Sequence, residues 1–118
     1  MRENTAAEII ISSQGNVAVL SATGELDFAI CESLRETFQK LEKDNKHIVL
    51  DLRETSYLDS EGIKVIVECS KDVMKKEGKV AMVCGKAPQR VMSLSGMDTL
   101  FPICPDLETA IRQVTTSS

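Results

Sequence analysis

Two short, almost wholly apolar runs constrain this chain most: His47-Ile48-Val49-Leu50-Asp51-Leu52 and Lys79-Val80-Ala81-Met82-Val83-Cys84. Each has the length of one strand and lacks the alternation of a half-exposed one, so each predicts a strand covered on both faces. Between them Ile63, Ile66, Val67, Ser70, Val73 and Met74 recur at helical spacing, from a start at Ser60, read as the N-cap, to a stop at Gly78. Strand, helix and strand in that order predict parallel pairing through a crossover, with the first strand near the centre of a sheet.

The flanking segments extend the pattern. Glu8 to Ile11 and Val17 to Thr23 are β-branched runs on either side of Ser13-Gln14-Gly15-Asn16, which suits a tight hairpin turn. After Gly24-Glu25-Leu26, Asp27 can cap a helix whose Cys31, Leu34, Phe38 and Leu41 form one apolar stripe. Pro88 to Ser95 predicts a short helix ended by Gly96, Leu100 to Cys104 an edge strand interrupted by Pro102, and Leu107, Ala110, Ile111 and Val114 a closing helix after Pro105. The expectation is an α/β fold of order β-β-α-β-α-β-α-β-α, a mixed sheet with four helices. A length of 118 residues suits one domain, residues 1–118, with an ordered core from about 8 to 114 and short flexible ends.

Composition narrows the function. Fourteen basic residues against eighteen acidic ones give a net charge of −4, and the cations are scattered, which disfavours nucleic acid as a partner. No apolar run approaches the roughly 20 residues that span a bilayer. Met1-Arg2-Glu3-Asn4-Thr5 lacks the layout of a signal peptide, so no membrane partner is expected and the chain is read as cytoplasmic. Cys31, Cys69, Cys84 and Cys104 are widely spaced and His47 is the sole histidine, a pattern of reduced, buried thiols rather than a zinc site. The six glycines form neither G-x-G-x-x-G nor a phosphate loop, and no cofactor is expected. Asp51 and Asp59 could suggest a magnesium-holding acidic pocket, but the opening hairpin and the lack of an adjacent acidic pair after the first strand argue against it.

The segment above background is Ile48-Val49-Leu50-Asp51-Leu52, the loop Arg53 to Tyr57, then Leu58-Asp59-Ser60-Glu61-Gly62-Ile63. It resembles the signature of the STAS family, in which a buried strand, a short loop and Asp-Ser-x-Gly at a helix start follow one another. Gly24-Glu25-Leu26-Asp27 and Ser95-Gly96-Met97-Asp98-Thr99-Leu100-Phe101-Pro102-Ile103 are similar to two further family passages. Each motif is short; their shared order and spacing make the match specific.

The resemblance implies an anti-sigma factor antagonist, a non-enzymatic binding protein. Ser60 would be phosphorylated by a partner that is both serine kinase and anti-sigma factor, and restored by a PP2C-type phosphatase. Glu25, Asp27, Phe28, Asp59, Ser60, Glu61, Gly62 and Lys64 would form the docking surface. Glu61 and Lys64 stand where the family tends to have small residues, which changes what a partner meets. Serine before a helix also occurs for capping alone. Two other functions are compatible with the sequence: a STAS scaffold or transport-complex subunit without a phosphorylation cycle, and an acidic phosphotransfer domain using Asp51 or Asp59.

Overall fold

The structure, a computed structural model, describes residues 8–14, 16–26, 28–44, 47–84 and 102–115. The order of elements is β1 (Glu8–Gln14), β2 (Val17–Leu26), α1 (Phe28–Asp44), β3 (His47–Leu52), β4 (Thr55–Leu58), α2 (Ser60–Lys75), β5 (Val80–Cys84), β6 (Ile103–Cys104) and α3 (Leu107–Thr115). The helix expected over 88–95, the Gly15 turn position, Asp27 and most of the 95–103 passage lie outside the described residues. β3 has the expected bounds, and β5 falls one residue short of the expected run.

The sheet runs β1-β2-β3-β5-β6. β1 and β2 are antiparallel, from Glu8 opposite Thr23 to Gln14 opposite Val17. The other neighbours are parallel, with Leu20 beside Leu50, Leu50 beside Met82 and Val83 beside Cys104. Alternation along the strands divides the core in two. Ala18, Leu20, Ile48, Leu50 and Met82 face α1 and α2, which add Leu34, Phe38, Val65, Ile66 and Cys69. Val17, Val19, Val49, Ala81 and Val83 face α3, which adds Ala110 and Val114. The two runs read as covered on both faces are buried at Ile48, Val49, Leu50 and Leu52 and at Val80 through Val83.

The α1 stripe is buried as its spacing predicts, with Cys31, Leu34, Phe38 and Leu41 all in the core. α2 is rotated slightly from expectation. Val65 and Cys69 are buried with Ile66, Ser70 and Val73, whereas Ile63, Val67 and Met74 are half-buried at its flanks. Two ion pairs tie α1 to α2 and its C-cap, Arg35 to Glu68 at 2.8 Å and Lys76 to the nearly buried Glu42 at 3.0 Å.

Three expectations need correction. The loop expected over Arg53 to Tyr57 contains a strand, because Thr55 is buried, its hydroxyl donates to the Ala22 carbonyl at 2.7 Å, and β4 pairs in parallel with the end of β2. The described order is therefore β-β-α-β-β-α-β-β-α, with three helices. Gly78 is not the residue that turns the chain out of α2: Glu77 takes the positive φ of 66°. The Gly78 and Glu77 amides donate to the Val73 and Met74 carbonyls at 2.9 and 3.0 Å, a double closure of the helix end. The N-cap of α2 is Asp59, not Ser60.

Candidate docking site

The site is built where β4 runs into α2 beside the end of β2. Asp59 adopts an extended backbone, φ −93° and ψ −179°, and its Oδ1 accepts from the Gly62 amide at 3.0 Å. Its carbonyl takes the Ile63 amide at 3.1 Å, the first turn of the helix. Asp59 can do this because aspartate in the β region places an acceptor over the free amides of a helix start. Ser60 is thereby relieved of capping and stands exposed as the first helical residue. Half-buried Glu61 follows in the first turn, where the positive end of the helix dipole favours a carboxylate, and Lys64 is exposed one turn further on.

Gly62 is buried, and a steric limit explains the glycine. A Cβ there would lie 2.7 Å from Leu58 Cδ1 and 3.2 Å from the Leu26 carbonyl oxygen. The helix start thus packs closely on the end of β2, which brings Ser60 near the Glu25–Leu26 segment. Leu26 is opposite Leu58 and Glu25 is opposite Tyr57 in the parallel pairing of β2 and β4. A bulge at Gly24 to Glu25 and a left-handed Gly24, φ 85°, let β2 leave β3 and take up β4. The Gly24 amide donates to the Glu54 carbonyl at 3.0 Å. Glu25 is exposed on this tip. Phe28 is the first residue of α1, and Asp27 lies outside the described residues.

Tyr57 is the residue that the sequence did not single out. It is 52 % exposed, the lone tyrosine of the chain, and sits opposite Glu25 and three residues before Ser60. Recognising it required seeing that Thr55 and Leu58, not Tyr57, supply the buried positions of β4.

Asp51 has a structural duty at the end of β3. Its Oδ1 accepts from the Arg53 backbone amide and Nε at 3.1 and 2.9 Å, and its Oδ2 from Arg53 Nη2 at 2.8 Å and the Ser21 hydroxyl at 3.5 Å. Burial pushes its carboxyl up, but the Arg53 hydrogen bonds and charge outweigh that, and it titrates below the usual aspartate range. Both oxygens of Asp51 and Oδ1 of Asp59 are therefore held in local hydrogen bonds. Among the described residues no cluster of three or more His, Cys, Asp or Glu could hold a metal ion.

The remaining reactive side chains are internal. Cys31, Cys69 and Cys104 are buried cysteines outside any disulfide, and Cys84 is half-buried. Burial pushes Cys69 up to about 11 and Cys84 up to about 12, so neither is a thiolate near neutral pH. His47 Nδ1 accepts from the Lys79 amide at 3.1 Å and holds the start of β3 to the approach of β5. Among the described residues no helix is long and apolar enough to cross a membrane.

Known proteins resemble this chain in sequence and fold. The chain is 27 % identical over 107 residues to the anti-sigma-F factor antagonist RsfB of Mycobacterium tuberculosis, covering 90 % of this chain and 88 % of that protein. It is 28 % identical over 113 residues to the anti-sigma F factor antagonist of Paenibacillus polymyxa, covering 91 % and 94 %. In fold it resembles the crystal structure of an anti-sigma factor antagonist from Mycobacterium paratuberculosis, with a TM-score of 0.88, 24 % identity, and 98 % and 100 % of the two chains covered. The STAS domain model matches residues 8–110, nearly the whole of the fold described above, and the chain belongs to the STAS domain family.

Proposed function

We propose that this chain is an anti-sigma factor antagonist that acts by binding alone. Its unphosphorylated form binds a serine kinase that is also an anti-sigma factor, and so releases a sigma factor. Phosphorylation at Ser60 blocks that binding, and a PP2C-type phosphatase restores it. The docking surface comprises Glu25, Asp27, Phe28, Asp59, Ser60, Glu61, Gly62 and Lys64, and we add Tyr57 to it. The names of the relatives support the class of function.

The observation that carries the phosphorylation step is the division of roles between Asp59 and Ser60. Because Asp59 satisfies the Gly62 amide, the exposed Ser60 hydroxyl can be modified without loss of the cap. A phosphate adds a charge of about −1.5 to −2, and a helix start favours it by roughly 0.3–2 kcal/mol, against repulsion from Asp59 and Glu61 that water screens. Inside a closed interface the same group is an unpaired charge costing several kcal/mol, which shifts affinity by orders of magnitude. The fold is therefore indifferent to the phosphate while the complex is not.

Calorimetric titration with the serine-kinase anti-sigma factor tests this. Ser60→Ala should bind as wild type does and resist the kinase, and Ser60→Asp should lose binding at an unchanged melting temperature. Equal affinity of the aspartate variant and wild type would rule the switch out. Phosphosite mapping from growing and stressed cells separates it from the scaffold reading, which requires Ser60 to stay unmodified.

A further inference from the structure

We propose that β1 is a self-pairing edge, through which two copies of this chain join their sheets antiparallel across a two-fold axis at Ile11. β1 ends the sheet, and among the described residues no strand pairs its second edge. Of the three exposed large hydrophobic side chains among the described residues, two lie on it, Ile10 at 51 % and Ile11 at 49 %, on opposite faces. Natural edge strands carry lysine, proline, a bulge or little length to prevent pairing. β1 has seven residues, a register with β2 unbroken at all seven, and neither lysine nor proline. The opposite edge is guarded: β6 has two residues between Pro102 and Pro105. β4, four residues long and paired with β2, offers no second long edge, so pairing through β1 closes at two copies rather than growing into a fibre.

The pattern of β1 favours a second copy as occupant. Its sequence is Glu-Ile-Ile-Ile-Ser-Ser-Gln, with one charge at one end and an amide at the other. Antiparallel pairing about Ile11 sets Ile11 against Ile11 of the second copy, Ile10 against Ser12, Ile9 against Ser13 and Glu8 against Gln14, whose side-chain amide can donate to the carboxylate. Parallel pairing in register would instead stack Glu8 on Glu8. Glu8 is opposite Thr23, so β1 begins toward the docking end of the molecule. The two-fold axis then places the two Ser60 surfaces at opposite ends of the joined sheet, both uncovered, and makes the dimer bivalent.

Sedimentation equilibrium of the full chain, up to about millimolar concentration, tests the pairing. The expected mass rises with concentration from the 13.0 kDa of one copy toward twice that value. Ile11→Lys, at a half-exposed position that spares the core, should leave a monomer with an unchanged melting temperature, while Tyr57→Lys, at an equally exposed apolar site off the edge, should leave the dimer intact. Gln14→Lys should tighten the dimer and Gln14→Glu weaken it, by about two- to tenfold each, because position 14 meets Glu8 twice per dimer. A wild-type chain that stays monomeric throughout, a dimer that survives Ile11→Lys or is lost on Tyr57→Lys, or a pair of Gln14 variants that shift together would each overturn the proposal.

Discussion

Replacing Gly62 by alanine sets two known effects against each other, and the geometry decides between them. Alanine inside a helix is favoured over glycine by about 1 kcal/mol. Against this, the new methyl group would sit 2.7 Å from Leu58 Cδ1, closer than such contacts allow, and 3.2 Å from the Leu26 carbonyl oxygen, tighter than most. The Leu58 side chain is 6 % exposed and has core on its other sides, and the Leu26 oxygen is fixed by the pairing of β2 with β4. Overpacking of this kind costs about 1–3 kcal/mol. The net expectation is a loss of about 1 kcal/mol and a fall in melting temperature of about 4 °C for a chain of this size. Urea denaturation followed by circular dichroism measures it. A cycle with Leu58→Val, which removes Cδ1, isolates the clash: Gly62→Ala should cost clearly less in that background. A Gly62→Ala protein more stable than wild type by the helix-propensity increment would show that α2 does not pack on β2 this closely.

Other substitutions test the remaining elements of the site. Asp59→Ala leaves the Gly62 amide without its acceptor and should cost about 1 kcal/mol in a thermal melt, whereas Asp59→Asn, which keeps an acceptor, should be nearly neutral. Glu77→Gly should stabilise by roughly 0.5–1 kcal/mol, because the position holds a left-handed φ of 66° that costs a side-chain-bearing residue about 1–2 kcal/mol. Asp51→Asn should cost about 1–3 kcal/mol at neutral pH by weakening the Arg53 hydrogen bonds. Since the native Asp51 carboxyl titrates below the unfolded value of about 3.9, its contribution is complete above that pH and lost as pH falls through the lower native value. Urea melts between pH 6 and 2 should therefore show the gap between variant and wild type closing only below about pH 4.

Burial patterns were the most legible part of the sequence. The runs at 47–52 and 79–84 announce doubly covered strands because a parallel strand has no wet face to alternate toward. The α1 stripe is equally plain, since Leu34, Phe38 and Leu41 lie seven or fewer residues apart on a helix with one dry side. β4 escaped because four residues with only Thr55 and Leu58 inward give no period to detect, and its partner is the far end of a strand 30 residues away. The Asp59 and Ser60 assignment was ambiguous for a chemical reason: both are strong capping residues, and which one caps depends on where β4 ends. Glu77 could not have been foreseen beside Gly78, the residue that ordinarily takes a positive φ. Tyr57 stayed hidden because its exposure follows from β4.

The hydrogen bonds that bind the β3–β4 turn to β2 carry one further consequence. The Thr55 hydroxyl on the Ala22 carbonyl and the Gly24 amide on the Glu54 carbonyl stitch two segments, some 30 residues apart in sequence, into one rigid tip. A loop that must settle before it can be grasped charges its ordering entropy to every encounter. Here folding has already met that expense, so a visiting protein finds the contour assembled, and weak individual contacts can still add up to a durable grip.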